Sequence, residues 1–168
     1  MSPETKKVEI DELACFAEIC KKICLNIPDS YSWEWDSRRN MALMTLSLQD
    51  AELVFFPLFQ EFKEHWNFSS PIQPEALISE LLNAEYGLMP GQFFFTSRPI
   101  DDLVLFVAWW PWGSSDKVSM RVGLYSLVTN KPDPDLALAC LTRWLRIGGN
   151  EPGAGCLEQI KSQNSNSK

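Results

Sequence analysis

Residues Leu103 to Trp110 read Leu-Val-Leu-Phe-Val-Ala-Trp-Trp, with no polar side chain at either parity. Successive side chains of a strand point to opposite faces, so an extended segment of this kind must be covered on both sides. Continued to Trp112 it has about ten residues, half of what a membrane-spanning helix needs. The feature therefore predicts a buried central strand and a sheet built around it.

The neighbouring segments supply that sheet. Gln92 to Ser97 reads as a strand, separated from the central one by the polar turn Arg98 to Asp102. After the turn Gly113 to Asp116, Lys117 to Leu127 alternates, with Val118, Met120, Val122 and Leu124 facing inward. Tyr31 to Asp36 alternates aromatic and polar residues, Ser37 to Asn40 is a turn, and Met41 to Leu48 completes a hairpin.

Helical spacing marks the remaining segments. From Glu9 to Leu25, Ile10, Leu13, Ala14, Ala17, Cys20 and Cys24 form one stripe, closed by Asn26 and Pro28. Between Asp50 and Trp66 a proline interrupts the pattern. Pro57 suits the first helical position, which predicts a short helix from Pro57 to Trp66, with Leu53 to Phe56 as strand or kinked turn and Asp50 as a candidate cap. A further helix is expected from Pro74 to Gly87. The last begins with Asp133 as N-cap and Pro134 at the first position, and repeats Leu138, Leu141 and Leu145 on one face. The expected fold is α+β: an antiparallel sheet of five or six strands, a hairpin plus a three-stranded meander, packed against about four helices in the order α-β-β-α-α-β-β-β-α. It spans residues 1–149 as a single domain, followed by a flexible polar tail over 150–168.

The residues that chemistry needs are scarce. The one histidine, His65, falls near the expected end of the middle helix, and no Gly-x-Ser-x-Gly elbow or phosphate-cradling glycine loop is present. Cys15, Cys20 and Cys24 share one helix, and Cys140 and Cys156 stand alone, so the spacing of a structural zinc site is missing. These thiols are expected to be reduced core residues, with no metal and no cofactor. No apolar run follows Lys6 and Lys7. The expectation is accordingly no secretory leader and a cytoplasmic location.

Charge and aromatics carry what functional signal there is. The net charge is −7, all of it within residues 1–100. That disfavours nucleic acid and anionic membranes and suits a protein partner, in particular a basic one. Of 168 residues, seven are Trp, ten Phe and three Tyr. Trp109 and Trp110 are adjacent in a strand and so face opposite sides, while Trp112 follows Pro111 at its end. At least one of the three is expected at the surface, where tryptophan anchors interfaces. Glu34 and Asp36 lie on the outer face of the first hairpin.

The expected function is therefore a non-catalytic acidic module that binds a partner protein through Trp109, Trp110, Trp112, Glu34 and Asp36. Its size, charge and class are those of small proteins that mask or escort others, such as immunity proteins and secretion chaperones; no motif carries the analogy. Two alternatives stand beside it. One is a small enzyme with an aromatic-lined pocket using Glu34, Asp36 or His65. The other is a homodimer or larger homo-oligomer closed by the Trp109–Trp112 region.

Overall fold

The computed structural model describes residues 10–62, 64–67, 69, 91–113, 116–129 and 131–148. Seven strands form one antiparallel sheet: β1 (Glu34–Asp36), β2 (Met41–Ser47), β3 (Glu64–Asn67), β4 (Phe93–Thr96), β5 (Leu103–Pro111), β6 (Lys117–Ser126) and β7 (Lys131–Pro132). The three helices among the described residues are α1 (Ala14–Leu25), α2 (Leu48–Glu61) and α3 (Pro134–Leu145), with a single 3-10 turn at Ile10–Leu13 leading into α1. The fold is α+β, in the order α-β-β-α-β…-α. The expected helix over Pro74–Gly87 and the expected tail over 150–168 lie outside the described residues.

The sheet runs β1-β2-β6-β5-β4-β3, and β7 pairs with the far end of β6. The apolar segment Leu103–Trp110 is thus interior, between β6 and β4, and is buried from Leu103 to Trp109. Register fixes the two faces. Val107 pairs with Val122 and Phe95, and Met120 with Met44 and Trp109, placing all of them on the face that the three helices cover. Val118, Met120, Val122 and Leu124 are fully buried there. The other face holds a smaller core of Met41, Phe94, Phe106, Ala108 and Tyr125.

Several expectations fail, each for a tertiary reason. α2 begins at Leu48 and passes straight through Pro57. A proline inside a helix costs about 3 kcal/mol. The buried row Ala51, Val54 and Leu58 outweighs it, since each large aliphatic side chain contributes about 1.5–3 kcal/mol. The carbonyl that Pro57 leaves without its helical donor belongs to Leu53, a residue 57% exposed to solvent. Ser47, and not Asp50, is the N-cap: its Oγ accepts from the Asp50 backbone N–H at 3.2 Å.

His65 and Trp66 consequently belong to no helix. They lie in β3, which exists through its pairing with β4. With β3 and β7 added and no strand at Leu53–Phe56, the sheet has seven strands rather than five or six. In the first hairpin only Glu34–Asp36 is paired, so the strand expected from Tyr31 is shorter.

Helix faces also rotate. In α1 the buried row is Phe16, Ile19, Cys20 and Ile23, while Ala14 and Cys15 are exposed. Larger side chains bury more apolar area and set the orientation. In α3 the inner row is Ala137, Cys140, Leu141 and Leu145, and Leu138 is 47% exposed. Asp133 caps this helix as expected, accepting from the Leu136 N–H, with Pro134 in the first turn.

Candidate functional site

The expected contact residues sort themselves by face. Glu34 pairs with Leu43, Asp36 with Met41, and Trp110 with Ser119, all on the side of the sheet away from the helices. Trp112, just past β5, donates its indole N–H to Ser119 Oγ at 2.7 Å and joins them there. Trp109 is the exception. It sits on the helix side, 5% exposed, with its ring 4.9 Å from that of Phe55.

The face away from the helices changes character along the sheet. Over β4 and β5, Phe94 and Phe106 are stacked at 5.3 Å and fully buried. Over β2, β6 and the end of β5 it is open: Thr45 and Lys117 are exposed, and Leu43, Ser119, Arg121 and Trp110 are half-buried. Gly123 marks the join. A Cβ added there would clash with Cζ at the tip of the Phe106 ring, so only glycine leaves room for that ring over β6.

On the open part, side chains hold one another in place. Asp36 receives Arg121 and Arg39 at 3.5 Å each, and its Oδ1 accepts from the Arg38 and Arg39 backbone N–H groups. The Asp36 and Arg121 side chains are only 15% and 14% exposed, so this charge is largely spent within the molecule. The Arg121 guanidinium lies 5.6 Å from the Trp110 ring centroid, and Lys117 Nζ lies 5.4 Å from that of Trp112. Trp112 is 46% exposed, yet its indole is held by the hydrogen bond to Ser119 and by Lys117 beside the ring. Glu34 is exposed beside them. Sequence reasoning missed Arg121, although its outward parity between Met120 and Val122 was the available signal.

The residues named for catalysis do not converge. His65 is on the edge strand β3, facing the helix side, with its ring 4.7 Å from Phe59. Glu34 and Asp36 are on β1 at the opposite edge and on the opposite face. Five strand spacings of about 4.8 Å separate the two edges. Among the described residues, no three His, Cys, Asp or Glu side chains come together as a metal would require. No helix among them is long and apolar enough to cross a membrane.

The thiols are not equivalent. Cys15 is exposed, contrary to a core role for all three helix thiols. Cys20 is buried, and its desolvation pushes the thiol pKa strongly upward. Burial also raises the Cys24 pKa, partly opposed by a hydrogen bond from the Trp33 side chain and by the nearby Arg146 charge.

A cavity of about 290 Å³ opens next to Cys24, where the C-terminal ends of α1 and α3 meet the segment leading into β1. It lies on the helix side, lined by Tyr31, Trp33, Met44 and Trp144 and rimmed by Lys21 and Arg146. Neither Glu34 nor Asp36 reaches it. Tyr31 is anchored from behind, donating to Asp50 Oδ2 at 2.6 Å and accepting from the Ser47 backbone N–H.

Compared with protein-family models, with curated proteins and with solved structures, the chain matches none.

Proposed function

We propose that this protein is a non-catalytic binding module that masks or escorts a partner protein. Its contact surface is the open part of the sheet formed by β1, β2, β6 and the end of β5. The observation that supports this reading is Trp112: a large indole at the surface, fixed by a hydrogen bond to Ser119 and by Lys117 beside its ring. An anchor held in this way loses little conformational entropy on binding, which is what makes tryptophan effective at interfaces. Trp110 widens the apolar centre, and Glu34 supplies an unspent charge at its border. Trp109 is no part of the contact, being buried under α2. Asp36 acts indirectly, by holding Arg121 against Trp110.

The net charge of −7 favours a basic partner and steers its approach. Because Asp36 is neutralised within the molecule, salt should slow association more than it weakens the complex.

The test is affinity capture from the native host with the wild-type chain and with folded Trp112→Ala and Glu34→Lys variants, alongside solution mass. A stoichiometric partner lost with Trp112→Ala supports the reading. A partner retained by both variants removes this surface from consideration. A dimer that Trp112→Ala converts to monomer makes the second copy the partner.

A further inference from the structure

On the other side of the sheet, we infer that the cavity between the ends of α1 and α3 is a binding site for a small aromatic carboxylate. The inference is independent of the protein-binding surface, since no residue is shared.

Size and lining set the ligand's body. About 290 Å³ lies at the small end of the range of ligand pockets, roughly 300–1,000 Å³. Trp33, Trp144 and Tyr31 offer flat apolar surface, with Met44 as deformable filler.

The rim sets the charge. Lys21 and Arg146 stand at the mouth, and among the described residues neither side chain has an ion pair or hydrogen bond. Among the described residues of the lining Asp29 is the one acidic side chain against Lys21 and Arg146, a net positive set in a protein of net charge −7. Two helices end here, and bare C-terminal carbonyls would repel an anion. At α1 they are covered: the Asn26 side-chain amide donates to the Lys22 carbonyl at 2.8 Å, and the Asn26 and Ile27 N–H groups to those of Ile23 and Cys24. At α3 the Thr142 carbonyl accepts from the Arg146 and Ile147 N–H groups, and the two cationic side chains stand against the remaining helix-end charge. The Cys24 thiol adds no charge either, because burial holds it protonated at neutral pH.

Arg146 is the most specific of these residues. It occupies the left-handed position that ends α3, at φ 59° and ψ 45°, where glycine is the preferred residue. Here the chain has arginine, two residues before Gly148. Sparsely populated backbone conformations persist where the surrounding structure holds them and cluster at ligand sites. Arg146 is among the residues that line the cavity, and a guanidinium fork matches a carboxylate.

The experiment follows the indole N–H signals of the ¹⁵N-labelled full chain during titration with 2-naphthoate and, in parallel, with 2-naphthylmethanol, which has the same body and no charge. The expected result is saturable shifts at Trp33 and Trp144, with the carboxylate binding at least about tenfold tighter, equivalent to about 1.4 kcal/mol. Arg146→Gly should melt no lower than wild type and bind about tenfold more weakly. Lys21→Glu, on an exposed helix position, should weaken binding in the same direction. The inference is overturned by equal affinity for acid and alcohol, by shifts confined to Trp110 and Trp112, by no saturable shift, or by unchanged binding in both variants.

Discussion

The face of the sheet away from the helices holds two surfaces side by side, built on the same strands. Toward β4 it is sealed: Phe94 lies on Phe106, Phe106 on Gly123, and Tyr125 closes the row. Toward β2 the same strand β6 presents Arg121, Ser119 and Lys117, and the aromatic rings beside them are reached by water. The transition takes place along β6 between Gly123 and Arg121. A residue without a side chain lets a ring settle onto the backbone; two residues on, a guanidinium lies beside the indole. Aromatic content alone therefore does not distinguish core from contact surface. The cross-strand partner does.

The sharpest way to break this contrast is to truncate matched rings on either side of it. Phe106→Ala should cost about 3–5 kcal/mol in urea unfolding, because it empties a fully buried site. If it costs under about 1 kcal/mol, the sealed half is not a packed core. Gly123→Ala should cost about 1–3 kcal/mol by displacing the Phe106 ring. Combining it with Phe106→Leu should recover part of that loss, and additive effects would disprove the ring contact.

The helix-side core sharpens the contrast through pH. Cys20 keeps its proton in the folded state well above the usual thiol range, whereas in the unfolded chain it ionises near pH 8.5. Above that pH the unfolded state binds fewer protons than the native one, so stability falls as pH rises. The slope from this one group is at most about 1.4 kcal/mol per pH unit. Urea midpoints compared at about pH 8 and about pH 10 should drop less in Cys20→Ala than in wild type, and equal drops would show that Cys20 is not desolvated. Smallest of all is the expected stability effect of Trp112→Ala, under about 1 kcal/mol, since its ring is half in water and its single hydrogen bond is exposed. A larger loss would move Trp112 from the open half to the sealed one.

Where structure is made by neighbours in the chain, the sequence was legible. The alternation of β6, the two-sided apolar run of β5 and the Asp133–Pro134 start of α3 all appear in the fold. Opposite facing of Trp109 and Trp110 follows from the same period. What depends on distant pairing was not legible. Local rules break a helix at Pro57, and only the burial of Val54 and Leu58 under the sheet reverses that. His65 and Trp66 keep helical spacing with Phe62 and become a strand because β4 lies beside them. Asp36 reads as a free carboxylate until Arg121, 85 residues later, reaches it. The cavity mouth is similarly hidden, joining Lys21 to Arg146 from opposite ends of the chain.

The edges of the sheet bear on how any protein can attach to it. β1 and β3, at the two ends of the strand order, have three and four residues. Among the described residues, a guest strand laid along either would find only these few amides and carbonyls, each worth a net 0.5–1.5 kcal/mol or so. Against an association cost of roughly 4–15 kcal/mol, that is too little to hold it. Such blunt borders discourage end-to-end growth into fibrils and leave recognition to side chains on the flat of the sheet.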